Sequence, residues 1–533
     1  MLGARHFHRR HQTVIFELHP HGEPFSLEGN VVRYFLVLLV FIGGMVSLAL
    51  EMCAQRLLGA YFGSSLLIWA ILIGLILIYL TVGYFIGGRL ADRYPSERVL
   101  CTLTGIAGLA TSLIPLVSPG ILNWSVVGMS QISVSIFVAS LVGSILLFAI
   151  PVTLLGLVSP FAIRLLSRSV GRSGRLSGSL YAISTVGSIL GAFLPVLVLI
   201  PAIGVRRSLL LFGMVLFAAS LWGLRPHWRF AAAIPAILLV LPLGPLKVIP
   251  NMIYEKESLY NYIQVTQLPN GTRQLILNEG EAIHSVFYPD QNKVLTGWYW
   301  DYFLAAPYFN QGFQKQQLKR VGIIGLAGGT IAHQFTQVYG PVQIDGVEID
   351  PAIVDVGRKF FGMNEPNLNV YTQDGRAFLT TTHEKYDVVA IDAFQQPYIP
   401  FQLTTREFFS EIRDHLSATG VVTLNTAHTA GDYRLVQAFV NTMSQVFPDV
   451  YTFDVPGTFN TEIMATMQHT SLETFRANME QFASANVMGQ LAGEVVPVAK
   501  QGHPDGGIVF TDDRAPIEQI TDQLLLHYIS TSS

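Results

Sequence analysis

Charge and cysteine are both scarce in this chain of 533 residues. Charged residues make up 13% of it and hydrophobic ones 50%, a balance too apolar for an ordinary soluble protein. The two cysteines, Cys53 and Cys101, stand in separate apolar runs. That argues against a disulfide framework and gives no metal-ligand cluster, so no metal is expected. Acidic residues are rare in the first half: residues 1–250 hold 17 Lys+Arg and 6 Asp+Glu, whereas residues 251–533 hold 16 and 30. An acidic globular half lacks the basic surface that phosphate binding needs, which argues against nucleic acid as the main partner.

What the first half does have is long hydrophobic runs. Seven reach the length of about 20 residues that one crossing requires: near 33–54, 66–88, 99–118, 133–163, 176–203, 207–224 and 229–247. The first begins after residue 30 and is long, so it reads as a spanning helix rather than a cleaved signal. The fourth is overlong and contains Pro151 and Pro160, which predicts a kink or tilt. Arginines cluster at Arg5/Arg9/Arg10, Arg89/Arg93/Arg98, Arg164/Arg168/Arg172/Arg175 and Arg225/Arg229. With residues 1–32 in the cytoplasm, most of these clusters fall on one side. Seven crossings from that start leave the C-terminal domain outside, where nucleotide cofactors are scarce. The last run is short and holds Pro235, Pro242 and Pro245. It is the one expected not to span, which gives a multi-pass cell-membrane protein with a cytoplasmic soluble domain. Glu51 and Arg56 flank the end of the first run. An ionisable residue in a membrane is a functional candidate; the alternative is an interfacial ion pair that fixes helix depth.

The pattern changes after residue 258. Tyr262–Leu268 and Arg273–Asn278 alternate around Pro269-Asn270-Gly271, a hairpin signal, and 291–308 reads as a helix. Beyond it, strands at 321–325, 342–348, 368–372, 386–392 and 420–425 alternate with helices near 329–338, 351–360, 404–416 and 431–446. This is a doubly wound α/β pattern with a parallel core. It divides the chain into membrane helices over 33–250, a hairpin subdomain with a linking helix over 251–320, and the α/β domain over 321–533.

Ligands in such sheets bind at the carboxyl ends of the strands. Val321-Gly-Ile-Ile-Gly325-Leu-Ala-Gly-Gly-Thr330 is an apolar run feeding a small-residue turn, and Val347-Glu348-Ile-Asp350 closes the next strand. That is the form of a nucleoside-holding unit. Gly325, Gly328 and Gly329 let the backbone approach a ligand and start a helix. Glu348, 23 positions after Gly325, can accept both ribose hydroxyls. Asp374 could accept the adenine amine, with Gly375 leaving room for the ring. Asp392 ends the fourth strand, where the reacting group would sit. The turn departs from the dinucleotide pattern at Ala327 and Thr330, and Asp374 and Asp392 could instead be helix caps.

Together with Leu259-Tyr-Asn-Tyr-Ile-Gln-Val265, Tyr299-Trp-Asp-Tyr302, Gln373-Asp-Gly-Arg376, Ile391-Asp-Ala-Phe394 and Thr511-Asp-Asp-Arg-Ala-Pro-Ile-Glu518, these motifs make the chain resemble the spermidine synthase (polyamine aminopropyltransferase) family in its membrane-fused bacterial form. Leu48-Ala-Leu-Glu-Met52 and Gly87-Gly-Arg-Leu-Ala-Asp-Arg93 extend the resemblance into the first half. The family binds decarboxylated S-adenosylmethionine and moves its aminopropyl group to an amine. The resemblance implies a membrane α-helical bundle followed by an α/β Rossmann-like fold of the S-adenosylmethionine-type methyltransferase kind, with an N-terminal β-hairpin subdomain. It implies that Glu348 holds the ribose and Asp374/Gly375 the adenine. Asn261 stands where the family has a Gln that contacts the cofactor, Tyr299 lines the substrate channel, and Asp392 is the catalytic carboxylate. The partners implied are the lipid bilayer and a small-molecule acceptor of the polyamine kind, and a homodimer is left open.

Three departures stand out. Gly328 occupies the place of an Asp that holds the donor's amine, Gln395 that of a second Asp after the fourth strand, and Trp300 that of a polar Gln or His. An acceptor amine must lose a proton before it attacks, and carboxylates serve that step. The resemblance therefore implies retained nucleoside binding with altered amine handling and weak ordinary spermidine synthase activity. Three readings remain: aminopropyl transfer, methyl transfer from S-adenosylmethionine to a less cationic acceptor, and a non-catalytic nucleoside-binding sensor or transporter.

Overall fold

The computed structural model describes residues 27–63, 66–130, 136–167, 173–221, 243–278, 282–290, 292–394 and 398–531, with 233 and 237 in isolation. Among these, five helices are long and apolar enough to cross a membrane: Val31–Phe62, Ile68–Arg93, Glu97–Ser125, Val138–Leu166 and Gly174–Ser220. The first three lie in α1 (Leu27–Phe62), α2 (Leu66–Arg93) and α3 (Glu97–Ser130). The fourth joins α4 (Ile136–Gly156) to α5 (Val158–Leu166), interrupted near the two prolines that predicted a kink. The fifth merges the fifth and sixth predicted runs as α6 (Ser173–Leu194) and α7 (Ile200–Ser220), linked by a π turn at Pro195–Leu199. Its 47 residues would extend about 70 Å as one helix, over twice the bilayer's hydrocarbon core of about 30 Å. The backbone turns at Gly204, φ 80°, which divides two crossings. The seventh predicted run, 229–247, lies mostly outside the described residues.

Helix α1 shows which end of the bundle carries the soluble domain. Near its start, Leu36 and Leu39 pack with Ala91, Leu100 and Phe161, close to an Arg164–Asp92 ion pair at 2.8 Å. Near its end, Arg56 Nη1 donates to the Tyr260 carbonyl at 3.1 Å. Arg56 Nη2 donates to that of Ser258, and Glu257 accepts the amide of Val205 from the Gly204 corner. The soluble domain thus caps the end away from the start of α1 and from Arg89, Arg93 and Arg98. The described start of α1 and the soluble domain therefore lie at opposite ends of the bundle, whereas the sequence led us to expect residues 1–32 and the soluble domain on one side of the membrane. Helix α7 ends at the arginine end, where Ser220 Oγ meets Thr104 Oγ1 at 2.7 Å, and Leu243 O accepts Arg206 Nη1 at 2.8 Å near the Gly204 corner. Arg56 serves backbone carbonyls rather than pairing with Glu51.

The soluble part opens with an antiparallel sheet of β1 (Met252–Glu257), β2 (Tyr262–Gln267), β3 (Arg273–Leu277) and β4 (Ile283–Phe287), in that order. The β2–β3 pair is the predicted hairpin, turned at Gly271 with φ 83°; β1 and β4 add an unforeseen strand on each side. The helix expected at 291–308 is instead a 3-10 segment, Tyr299–Phe309. Asp301 pins the preceding chain by accepting the amides of Thr296 (2.9 Å) and Gly297 (2.7 Å), and Pro307 removes a helix donor.

The main sheet contains β5 (Arg320–Ile324), β6 (Gln343–Glu348), β7 (Leu368–Thr372), β8 (Tyr386–Ile391), β9 (Leu416–Ala427), β10 (Asp449–Asp454), β11 (Asn460–Thr466) and β12 (Ala499–Gln501). Their spatial order is β12-β10-β11-β9-β8-β5-β6-β7. The run β7-β6-β5-β8-β9 is parallel, and it comprises the five predicted strands. The antiparallel extension through β11, β10 and β12 was not foreseen. Helices α8 (Thr330–Tyr339), α9 (Pro351–Phe360), α10 (Gly375–Thr381), α11 (Arg406–His415) and α12 (Arg434–Met443) follow their strands. The result is a membrane helical bundle followed by a Rossmann-like α/β domain with a small antiparallel sheet between them.

Candidate active site

Strand β5 lies between β6 and β8, so the chain direction across the sheet reverses there and the strand ends leave a crevice. Gly325 (φ 91°) ends β5. A side chain there would lie 2.3 Å from the Asp392 carbonyl oxygen, and the Asp392 amide donates to Ile324 O at 2.8 Å. The glycine therefore lets the ends of β5 and β8 meet. Ala327 takes φ 48°, a left-handed conformation that costs a non-glycine residue energy. Its amide donates to Glu348 Oε2 at 3.0 Å, while Glu348 Oε1 accepts the Asp350 amide at 3.1 Å. Each Glu348 oxygen thus holds one backbone donor and keeps a lone pair for a ligand hydroxyl. Burial pushes its carboxyl up to about 7 against the pull of these amides.

Asn261 reaches this carboxylate through Asp350. Its Nδ2 donates to Asp350 Oδ2 at 3.0 Å, as Ser258 Oγ also does, and Asp350 caps α9. Asp374 caps α10, its Oδ1 accepting the amides of Arg376 (2.9 Å) and Ala377 (3.0 Å). The capping alternative therefore holds at this position, and Oδ2 has no partner among the described residues. Two glycine readings change. A side chain at Gly375 would meet Ile324 Cγ2 at 2.5 Å, so this glycine admits Ile324 rather than an adenine ring. One at Gly328 would meet Ser285 Cβ at 2.8 Å and Phe361 at 3.1 Å. Gly328 is fitted against β4, with its amide on Ser285 Oγ at 2.8 Å.

Asp392 is no helix cap. Its Oδ2 accepts Tyr299 Oη at 3.1 Å and Trp300 Nε1 at 3.2 Å, and its Oδ1 accepts Asn425 Nδ2 at 3.0 Å. Trp300, which looked like the loss of a polar neighbour, supplies an indole N–H to the same carboxylate. Asp392 is packed on all sides by protein yet keeps some access to solvent. Burial raises its pKa to about 6 despite the three donors, which pull it down. Gln395 lies outside the described residues.

One residue the sequence reading missed is Glu462, the cross-strand partner of Asn425. It is fully buried. Its Oε2 accepts Thr423 Oγ1 at 3.1 Å, and its Oε1 has no partner among the described residues. Burial first, then the Asp392 carboxylate, drives its pKa well above the usual range. The available signal was an acid directly before the apolar run Ile463-Met464-Ala465.

Residues 310–478 match the spermine/spermidine synthase domain. A polyamine aminopropyltransferase of Vibrio vulnificus (strain CMCP6) is 31% identical over 237 residues, covering 43% of this chain and 76% of that protein. This chain belongs to the polyamine aminopropyltransferase family. A probable polyamine aminopropyl transferase of Bifidobacterium longum (strain NCC 2705) is 36% identical over 285 residues, 50% of this chain, which spans 62% of that family member's length. The crystal structure of a probable spermidine synthase from Corynebacterium glutamicum ATCC 13032 aligns over 49% of this chain and 96% of its own, with 18% identity and a TM-score of 0.40.

Proposed function

We propose that the soluble domain, residues 251–533, transfers the aminopropyl group of decarboxylated S-adenosylmethionine to an amine. The observation that carries this reading is the Asp392 carboxylate, held by Tyr299, Trp300 and Asn425 at the end of β8 and raised to about 6. A group poised there exchanges a proton near neutral pH.

In this reading Glu348 takes the ribose hydroxyls, Asp350 and Asn261 brace it, and the free oxygen of Asp374 accepts the adenine amine. Gly325 brings the donor edge to the reacting carboxylate. Asp392 removes a proton from the acceptor ammonium. The freed nitrogen lone pair attacks the aminopropyl carbon bonded to the sulfonium. The new N–C bond forms as the C–S bond breaks, and the electron pair leaves with sulfur as neutral methylthioadenosine. Tyr299 and Trp300 fix the carboxylate and exclude water around it. Because the donor is a cytosolic metabolite, the reading puts the soluble domain in the cytoplasm and the start of α1 outside.

Calorimetry of the detergent-solubilised protein with decarboxylated S-adenosylmethionine, S-adenosylmethionine and methylthioadenosine tests the donor. Turnover with an amine, followed by methylthioadenosine release, tests the reaction. Preference for S-adenosylmethionine would replace this reading with methyl transfer. Binding without turnover on any amine would leave a nucleoside sensor.

A further inference from the structure

We propose that the cavity between the end of α1 and the β1–β2 loop holds the headgroup of a membrane lipid, a zwitterion with its ammonium at Glu257 and its phosphate at Arg56. The site lies apart from the donor crevice and stands whether or not the aminopropyl-transfer reading holds.

Its position is at the bilayer surface. Leu58 near the end of α1, with Ile68 and Leu72 near the start of α2, forms an apolar wall, and residues 259–262 line the cavity from the soluble domain. The first two apolar spans end at Phe62 and begin at Ile68, so the cavity lies where the hydrocarbon core gives way to headgroups. Trp69, Leu259 and Tyr260 line it and are exposed, and aromatic side chains mark the membrane–water interface. The cavity volume, about 240 Å³, is many times the roughly 10–15 Å³ that one water needs, so a group of headgroup size enters. Gly325, Glu348, Asp374 and Asp392 do not line it. Asn261 does, and its Nδ2 donates to Asp350 Oδ2 at 3.0 Å, so the cavity adjoins the network behind Glu348.

The polar groups inside are incompletely used. Glu257 Oε2 accepts the Val205 amide, whereas Oε1 has no hydrogen-bond partner among the described residues. Glu257 feels the charge of Arg56, yet among the described residues it forms no ion pair. Burial raises its pKa to about 7 against the pull of the Val205 amide and of Arg56. A carboxylate so enclosed is costly unless a cation joins it. Arg56 gives an N–H to each of the carbonyls of Tyr260 and Ser258, two of the five donors a guanidinium carries. The Gln55 amide, also on the cavity wall, has no partner among the described residues. A bare carboxylate oxygen suits an ammonium, and unspent guanidinium donors suit a phosphate. A phosphate–ammonium zwitterion supplies both, and its glyceryl end meets Leu58, Ile68 and Leu72. An anionic headgroup leaves Glu257 unmatched, and a free diamine leaves Arg56 so.

The test is native mass spectrometry of the full-length protein in detergent, titrated with phosphatidylethanolamine or phosphatidylglycerol to count bound lipid. Wild type should bind phosphatidylethanolamine at least about tenfold more tightly than phosphatidylglycerol, which lacks the ammonium. Two variants should each weaken phosphatidylethanolamine at least about tenfold. Glu257→Gln removes the charge and keeps an acceptor for Val205. Gly59→Leu fills the cavity, since a side chain at Gly59 meets nothing within 4 Å. Equal affinity for the two lipids, or wild-type affinity in Gly59→Leu, would overturn the proposal. The lipid comparison on wild type decides alone if a variant fails to fold. Glycerophosphoethanolamine, the same headgroup without acyl chains, should bind more weakly than the lipid; equal affinity would overturn the lipid as source. Displacement of the lipid by putrescine would overturn the zwitterion and make the cavity an amine site.

Discussion

Arg56, near the end of the first membrane helix, donates to the carbonyl of Tyr260 at 3.1 Å in the loop between β1 and β2. The contact continues inward. Arg56 also holds the Ser258 carbonyl, Ser258 Oγ donates to Asp350, and the Asp350 amide holds Glu348 at 3.1 Å. Three hydrogen bonds among four residues thus connect a membrane helix to the proposed ribose carboxylate. On the proposed donor reading, this network joins the first long helix to the residues that brace Glu348.

The first prediction follows from that chain of contacts. Arg56→Met leaves two carbonyls without their donor and frees the Ser258 loop. It should weaken methylthioadenosine binding by about 1–3 kcal/mol, measured calorimetrically on the full-length protein. Asp392→Asn, at the other end of the crevice, should leave that affinity unchanged. Wild-type affinity in Arg56→Met would show that the connection is structural only.

A second prediction concerns orientation. Reporters fused before Met1 and after Ser533 should report opposite sides of the membrane, because the start of α1 and the soluble domain occupy opposite ends of the bundle. The donor reading further requires the C-terminal reporter to be cytoplasmic. The arginine-rich end then faces out, against the usual charge bias. Two reporters on the same side would refute the bundle geometry, and an external C-terminal reporter alone would refute the donor reading.

Much of this architecture is legible in the sequence because it is local. Four of the five parallel strands announce themselves as apolar runs closed by Gly325, Glu348, Asp374 and Asp392, each within two residues of its strand end. What escaped is long-range. Glu462 is 70 positions from Asp392 and comes beside it only through the antiparallel pairing of β11 with β9. Trp300 looked like a lost polar group because residue type alone does not show where an indole N–H points. Gly328 and Gly375 looked like openings for a ligand, whereas tertiary packing against Ser285 and Ile324 occupies both spaces. The number of crossings is hard to read from sequence because one short, proline-rich run, 229–247, changes the parity of every later assignment.

The third prediction concerns Asp392. Because it must be ionised to take the acceptor's proton, kcat/KM should fall as pH drops through about 6, and Asp392→Asn should lower kcat by roughly 10²–10⁴-fold. The stability consequence has the opposite slope. The folded-state value lies above the ordinary carboxylate value of 3.8, so the folded protein binds the extra proton between the two. Stability from this group is therefore lost as pH rises through that window. A pH–rate profile that is flat from 5 to 8 would remove Asp392 from the proton transfer.

A fourth prediction concerns Gly328, where the resemblance implies an Asp that holds the donor's amine. Gly328→Asp would restore the residue type that the family carries there, but its Cβ would meet Ser285 and Phe361. The substitution should cost about 1–3 kcal/mol through overpacking, seen as a lower Tm, without raising the rate. A faster enzyme of unchanged Tm would show that the turn can open away from β4.

The last prediction uses stability to read a buried acid, Glu462. Glu462 has its pKa raised well above 4.5 by burial and by Asp392. The buried site is therefore least costly when this carboxyl is protonated, and its contribution to stability declines as pH rises above the unfolded value. Glu462→Gln keeps the shape and an acceptor for Thr423 while removing the charge. At neutral pH it should be as stable as wild type or more so, with a higher Tm. A Glu462→Gln variant with a Tm below that of wild type would mean that the fold depends on the carboxylate itself rather than tolerating it at a cost.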